Sequence, residues 1–176
     1  MSNLIFRVGN PKDAKSLAPR LRPADVEEIR VITGASPLQV LLNPFGKPPG
    51  MAKVYTIQEE DRVSGMFGVS YSSTLPNGVR IGCPWFLCTN GLIQRNFRRL
   101  IRVTDQWLEE IGRGYDVLEN YVHDENEVHI RWLKYKKFEF VQYYPDFGVS
   151  KKAVWRFRKY TSGKALLRSA IGISLS

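Results

Sequence analysis

A mixed α/β architecture, with about seven strands in one central sheet and helices on its flanks, follows from the amino-acid sequence. Stretches of alternating hydrophobicity are interleaved with stretches of helical period, in the order β-αα-βββ-α-β-α-ββ. The two β-α-β steps in the second half favour right-handed crossovers onto a single sheet. At 176 residues, 43% of them hydrophobic and 12% aromatic, the chain can bury one sizeable core and is short for two.

Leu4–Val8 alternates like a strand, and Asn10-Pro11 then starts a helix as cap and first-turn proline. Arg22-Pro23-Ala24-Asp25 reads as a break, followed by a short helix over 26–33 that Gly34 ends, and another over 36–42. Residues 43–50, NPFGKPPG, read as loop. Strands follow over 53–58 and 63–73, joined by a charged turn. Asn77-Gly78 suits a tight hairpin into a third strand over 79–89. Pro84 lacks a ladder donor, so a kink or bulge is expected there, leaving 85–89 as the useful part. The longest helix covers 92–111, with Ile93, Phe97, Leu100, Ile101, Thr104, Leu108 and Ile111 on one stripe. A strand over 117–122, a helix over 126–137 and strands over 138–143 and 153–159 complete the domain, 1–160. The remainder, 161–176, reads as a basic, weakly amphipathic tail whose Leu166, Leu167, Ala170 and Ile171 share a face if helical.

This composition argues against disorder. No secretory pattern opens the chain, and no apolar run reaches the roughly 18–20 residues of a membrane span, so an intracellular protein with no membrane is expected. Cys83 and Cys88 lie five apart on one strand and point to opposite faces, which argues for free thiols. The net charge of +9 is one-sided. Cations and acids balance up to Glu127, whereas residues 128–176 hold 11 Lys/Arg against Glu139 and Asp146 alone. Such an excess attracts CoA phosphates, nucleic acid or an acidic protein surface, or it simply solubilises a face.

The element order, the strand 85–89, the long helix and the unit 118–141 together resemble the GCN5-related N-acetyltransferase (GNAT) fold over most of the chain. A narrower set of segments, W-F-L-C-T (85–89), N-F-R-R-L-I (96–101), E-N-Y-V (119–122) and N-E-V-H-I-R-W-L-K (126–134), resembles the small internal virion proteins of short-tailed bacteriophages. The acetyltransferase resemblance implies that strands 85–89 and 117–122 splay apart, and that the pantetheine arm of acetyl-CoA or CoA pairs with the exposed strand. It also implies a pyrophosphate loop at the following helix N-terminus, where free amides and the helix dipole favour an anion. The cofactor-binding residues expected on this basis are Leu87, Cys88, Thr89, Asn90, Gly91, Arg95 and Asn126.

The sequence departs from that pattern. The loop offers one glycine where the enzymes have two; Arg95, Arg98 and Arg99 could compensate, or could lie on a solvated face. Asn126 serves either as a helix cap or as a contact to the cofactor arm. Seven residues on, where the enzymes often place a tyrosine that protonates the leaving thiolate, stands Leu133, which has no proton to give. Tyr135 falls on the far side of the helix. The glycine that ends this helix in the family is Lys137 here. Glu119 could activate a water or pair with a cation. His123 and His129 flank Asp124 and Glu125 at a spacing that hints at metal, but they diverge, and no metal is expected.

Two functions are therefore expected. One is an internal virion or assembly-type phage protein on an acetyltransferase-like scaffold with weak or lost catalysis. It would be located in the virion and, during assembly, in the host cytoplasm. Its partners would be other virion proteins and DNA through its phosphates only, with self-association left open. The other is an active acetyl-CoA-dependent N-acyltransferase acting on an amine.

Overall fold

The computed structural model describes residues 4–161. The strands are β1 (Leu4–Val8), β2 (Ala52–Glu59), β3 (Arg62–Thr74), β4 (Arg80–Cys88), β5 (Val117–His123), β6 (Glu139–Phe147) and β7 (Lys152–Tyr160). The helices are α1 (Pro11–Leu17), α2 (Pro23–Thr33), α3 (Pro37–Leu42), α4 (Asn90–Gly112) and α5 (Glu127–Tyr135). All seven strands share one sheet in the order β1-β2-β3-β4-β5-β7-β6, antiparallel throughout except for β4 beside β5. Of the predicted tail, 161–176, all but Thr161 lies outside the described residues.

Local chemistry explains where the helices begin and end. Asn10 caps α1 by accepting from the amides of Lys12 and Asp13, and Asp13 returns a bond to the Asn10 amide. Ser36 and Gln39 make the same reciprocal pair at α3. Gly34, at φ 67°, closes α2 in the left-handed conformation. Pro23, expected to break the chain, opens α2, because a first-turn proline forfeits no helical bond. Inside the predicted loop, Asn43–Gly46 forms a 3-10 turn.

Pro84 neither kinks nor bulges β4. Pairing with β3 runs unbroken from Cys83 to Cys88, and the irregularity falls instead opposite Gly82 and Ile81. Two apolar layers cover the sheet. Phe67, Val69, Cys88, Leu92, Leu100, Leu133 and Phe138 form the core under α4 and α5. Ala14, Leu17, Ile29, Leu41, Met66 and Leu87 form the core under α1–α3. Neighbours such as Met66 and Phe67, or Leu87 and Cys88, serve opposite layers because strand side chains alternate.

Candidate active site

β4 and β5 touch at only two rungs, Ile81 with Val117 and Gly82 with Leu118, and then separate. The side chain of Asn120 bridges the opening by donating to the Pro84 carbonyl at 2.8 Å. This bond fixes the direction of the β4 backbone. The Arg80 carbonyl accepts from Asp116 on the β5 side, so alternation turns the peptide groups of residues 82, 84, 86 and 88 the same way. Pro84 therefore presents its missing donor to the gap and costs the β3 ladder nothing. Phe86 turns its N–H and C=O toward the wedge. Cys88 does too, but there Asp25 Oδ2 accepts the amide at 3.1 Å and the Arg22 amide donates to the carbonyl at 2.9 Å.

Helix α2 is thus wired into the wedge by charged groups. Asp25 is 1% exposed and forms a close two-point pair with the Arg22 guanidinium. Burial nevertheless prevails over that cation and holds the Asp25 carboxyl above its ordinary pKa. One turn on, Glu28 reaches β5 and α5. Its Oε1 accepts from the His123 amide at 3.1 Å and Asn126 Nδ2 at 3.3 Å, and its Oε2 lies 3.1 Å from His129 Nδ1. Burial raises the Glu28 pKa, but the His129 charge and these donors outweigh it and leave the carboxyl below the usual range.

Beside this network a cavity of about 530 Å³ runs through the sheet opening. Tyr71, Phe86, Ile93, Leu100, Trp132 and Leu133 wall one side, and Ile29 and Val40 continue it toward α2 and α3. Glu28, Asn120 and His129 are among its polar groups.

Of the expected cofactor residues, Leu87 lines the cavity, whereas Arg95 turns to Glu59 on β2. Leu87 points into the α1–α3 layer, and the Cys88 thiol is fully buried in the other. Burial pushes both thiols up, Cys83 to about 12, so neither is a nucleophile at neutral pH. Thr89 caps α4 by accepting from the Leu92 amide at 3.2 Å. Asn90 and Gly91 form the first turn of α4. Arg95 folds back over Gly91, where a Cβ would stand 2.7 Å from the guanidinium, and pairs with Glu59 at 2.9 Å. Asn126 is both cap and bridge: it accepts from the His129 amide and donates to Glu28.

Glu119 is spent on cations, accepting from Arg158 Nε at 2.9 Å with Arg156 Nε at 3.9 Å. Leu133 is 1% exposed, and Tyr135 is 62% exposed on the other side of α5. His123, Asp124 and Glu125 bring potential ligand atoms within 4.8 Å of one another, although Tyr143 engages Asp124 and Glu125 is exposed. Sequence reasoning missed Arg22, Asp25 and Glu28. Their three-residue spacing was a signal for one helix face, but that face is equally that of an exposed charged stripe.

A central sheet splayed between two parallel strands, with a helix N-terminus after each, is the GCN5-related N-acetyltransferase fold. Solved structures place the chain in that fold at low sequence identity. A GNAT-family acetyltransferase from Streptococcus pneumoniae is 14% identical, with TM-score 0.63 over 91% of this chain and 100% of that one. The ribosomal-protein-alanine N-acetyltransferase of Brucella melitensis is 14% identical, with TM-score 0.67 over 89% and 99%. A Salmonella typhimurium protein solved with its cofactor acetyl-CoA is 12% identical, with TM-score 0.67 over 92% and 96%. No family model and no curated protein matches the sequence.

Proposed function

We propose that the wedge takes an acyl-CoA and that the chain transfers the acyl group to an amine. The carrying observation is the two-rung pairing of β4 and β5, which opens onto a cavity of about 530 Å³ with Phe86's peptide groups turned toward it. The residues present fit such a ligand. Phe86 offers a donor and an acceptor to an amide-bearing arm, the apolar wall suits its methylenes, and the first amides of α4 at Asn90 and Gly91 suit a pyrophosphate. Arg95, 60% exposed in its side chain and paired with Glu59, stands one turn further on. Leu87, Cys88, Thr89 and Asn126 frame the opening. Because Asp25 and Arg22 occupy Cys88's peptide groups, the arm has a short hold on β4, and weak affinity is expected. Isothermal titration and thermal unfolding with acetyl-CoA test this. Binding should stabilise the protein by about 2.7 kcal/mol at a hundredfold excess over Kd. No heat and no thermal shift at millimolar ligand would remove the reading.

A second reading is an internal virion or assembly-type protein of short-tailed bacteriophages, with transfer chemistry weak or lost. The apolar Leu133 at the leaving-group position favours it, as do the exposed cations Arg131, Lys134, Lys137, Lys151 and Lys152. Its partners would be other virion proteins, and DNA through phosphates alone, in the virion and in the host cytoplasm during assembly. Mass spectrometry of purified particles tests it: the chain is present on this reading, and its absence would refute it.

A further inference from the structure

We propose that His129, held by Glu28, donates the proton to the leaving thiolate, the task that Leu133 cannot perform. The inference rests on the acyl-CoA reading above and adds a residue to it.

Position comes first. His129 lies four residues before Leu133 on α5, so the two side chains stand one above the other on the same face, and both line the cavity. Orientation comes next. Nδ1 is turned to Glu28 at 3.1 Å, which leaves Nε2 on the far side of the ring, away from the carboxylate. The ring rests near Trp132 and Phe157, each at a centroid distance of 6.1 Å, and the side chain remains 21% exposed. Glu28 is itself anchored by the His123 amide and Asn126 Nδ2, so the imidazole is held against a fixed carboxylate.

The charge state suits a donor. Burial alone would lower the His129 pKa, but Glu28 outweighs it by charge and hydrogen bond and raises it above the ordinary value. Asp25 adds to the rise and Arg22 opposes it. Glu28 therefore favours the imidazolium over the neutral ring. In the transfer, the amine nitrogen forms the new C–N bond and the C–S bond breaks. Nε2 gives its proton to the sulfur that leaves with the electron pair, the amine loses its proton to water, and the imidazole regains one from water.

The test uses the full chain with acetyl-CoA and hydroxylamine, an amine uncharged at neutral pH, and reads thiol release against a protein-free control. In His129→Gln, acetyl-CoA affinity by titration calorimetry should stay within about threefold, while kcat falls about 100-fold. Wild-type kcat should decline at alkaline pH as the imidazolium is lost, and His129→Gln should lack that limb. An NMR titration of the ligand-free protein supplies a readout apart from turnover. The His129 ring should titrate above the ordinary histidine range, and Glu28→Gln should move both that titration and the kinetic limb to lower pH. A merely structural histidine would leave the kinetic limb unmoved. A His129→Gln kcat within threefold of wild type, or an unaltered alkaline limb, would overturn the assignment. So would wild-type protein that binds acetyl-CoA without turnover above the control. Wild-type protein that binds no acetyl-CoA would instead overturn the reading beneath it, and the assignment with it.

Discussion

Asp25 shows how a single carboxylate can hold a site shut on one side. It neutralises Arg22, whose side chain is 12% exposed, and satisfies the Cys88 amide on a strand that has parted from its neighbour. Asp25→Ala would leave a buried guanidinium unpaired and a buried amide unbonded, so a loss of about 3–5 kcal/mol is expected in urea unfolding. Acid sensitivity follows from other carboxylates. Asp13, Glu28 and Glu59 are each buried, which alone would raise them, yet Arg7, His129 and Arg95 with their hydrogen bonds leave all three lowered. Groups depressed in the folded state contribute stability above their unfolded pKa of about 4 and lose it as pH falls through the folded value. Unfolding midpoints should therefore drop below about pH 4, less steeply in Asp13→Asn than in wild type. At this scale the sequence revealed the caps Asn10 and Asn126, because each acts on amides two or three residues away. It hid Glu28, whose partners His123 and His129 lie 95 and 101 positions on.

Among the elements, α5 carries a visible mark of its departure from the enzyme pattern. Lys137 keeps the left-handed turn that glycine makes in the family, at φ 62°, with the Phe138 amide donating to the Leu133 carbonyl at 3.0 Å. Lys137→Gly should relieve that strain and stabilise the protein by about 1 kcal/mol, read from the urea midpoint at constant m-value. A destabilised Lys137→Gly would mean that the turn is not strained. Strand and helix identities were legible because periodicity is a local property; the ends of α2 and α5 and the course of β4 were not. Pro84 misled because a missing donor counts against a strand only on the side where a partner waits, and that side is decided by β5, more than thirty residues downstream.

The molecule as a whole is a sheet with a helical layer on each face and an opening at its centre. The charge count made the C-terminal third look like one basic patch, yet folding withdraws part of it. Lys136 bonds Asp105 and the Ile101 carbonyl, and Arg156 and Arg158 converge on Glu119. Among the described residues, the exposed remainder lies on α5, just beyond it, and at the β6–β7 turn and the start of β7. What the fold adds to the sequence is convergence: α2, β4, β5 and α5 each bring one or two polar groups to the same gap. The claim that this gap is a ligand site is tested most directly by a backbone amide NMR titration with acetyl-CoA. Shifts are expected at Phe86, at residues 89–93 and at 126–129, with β1 and β6 unmoved. Unchanged wedge amides at millimolar acetyl-CoA, or shifts confined to the outer strands, would contradict it.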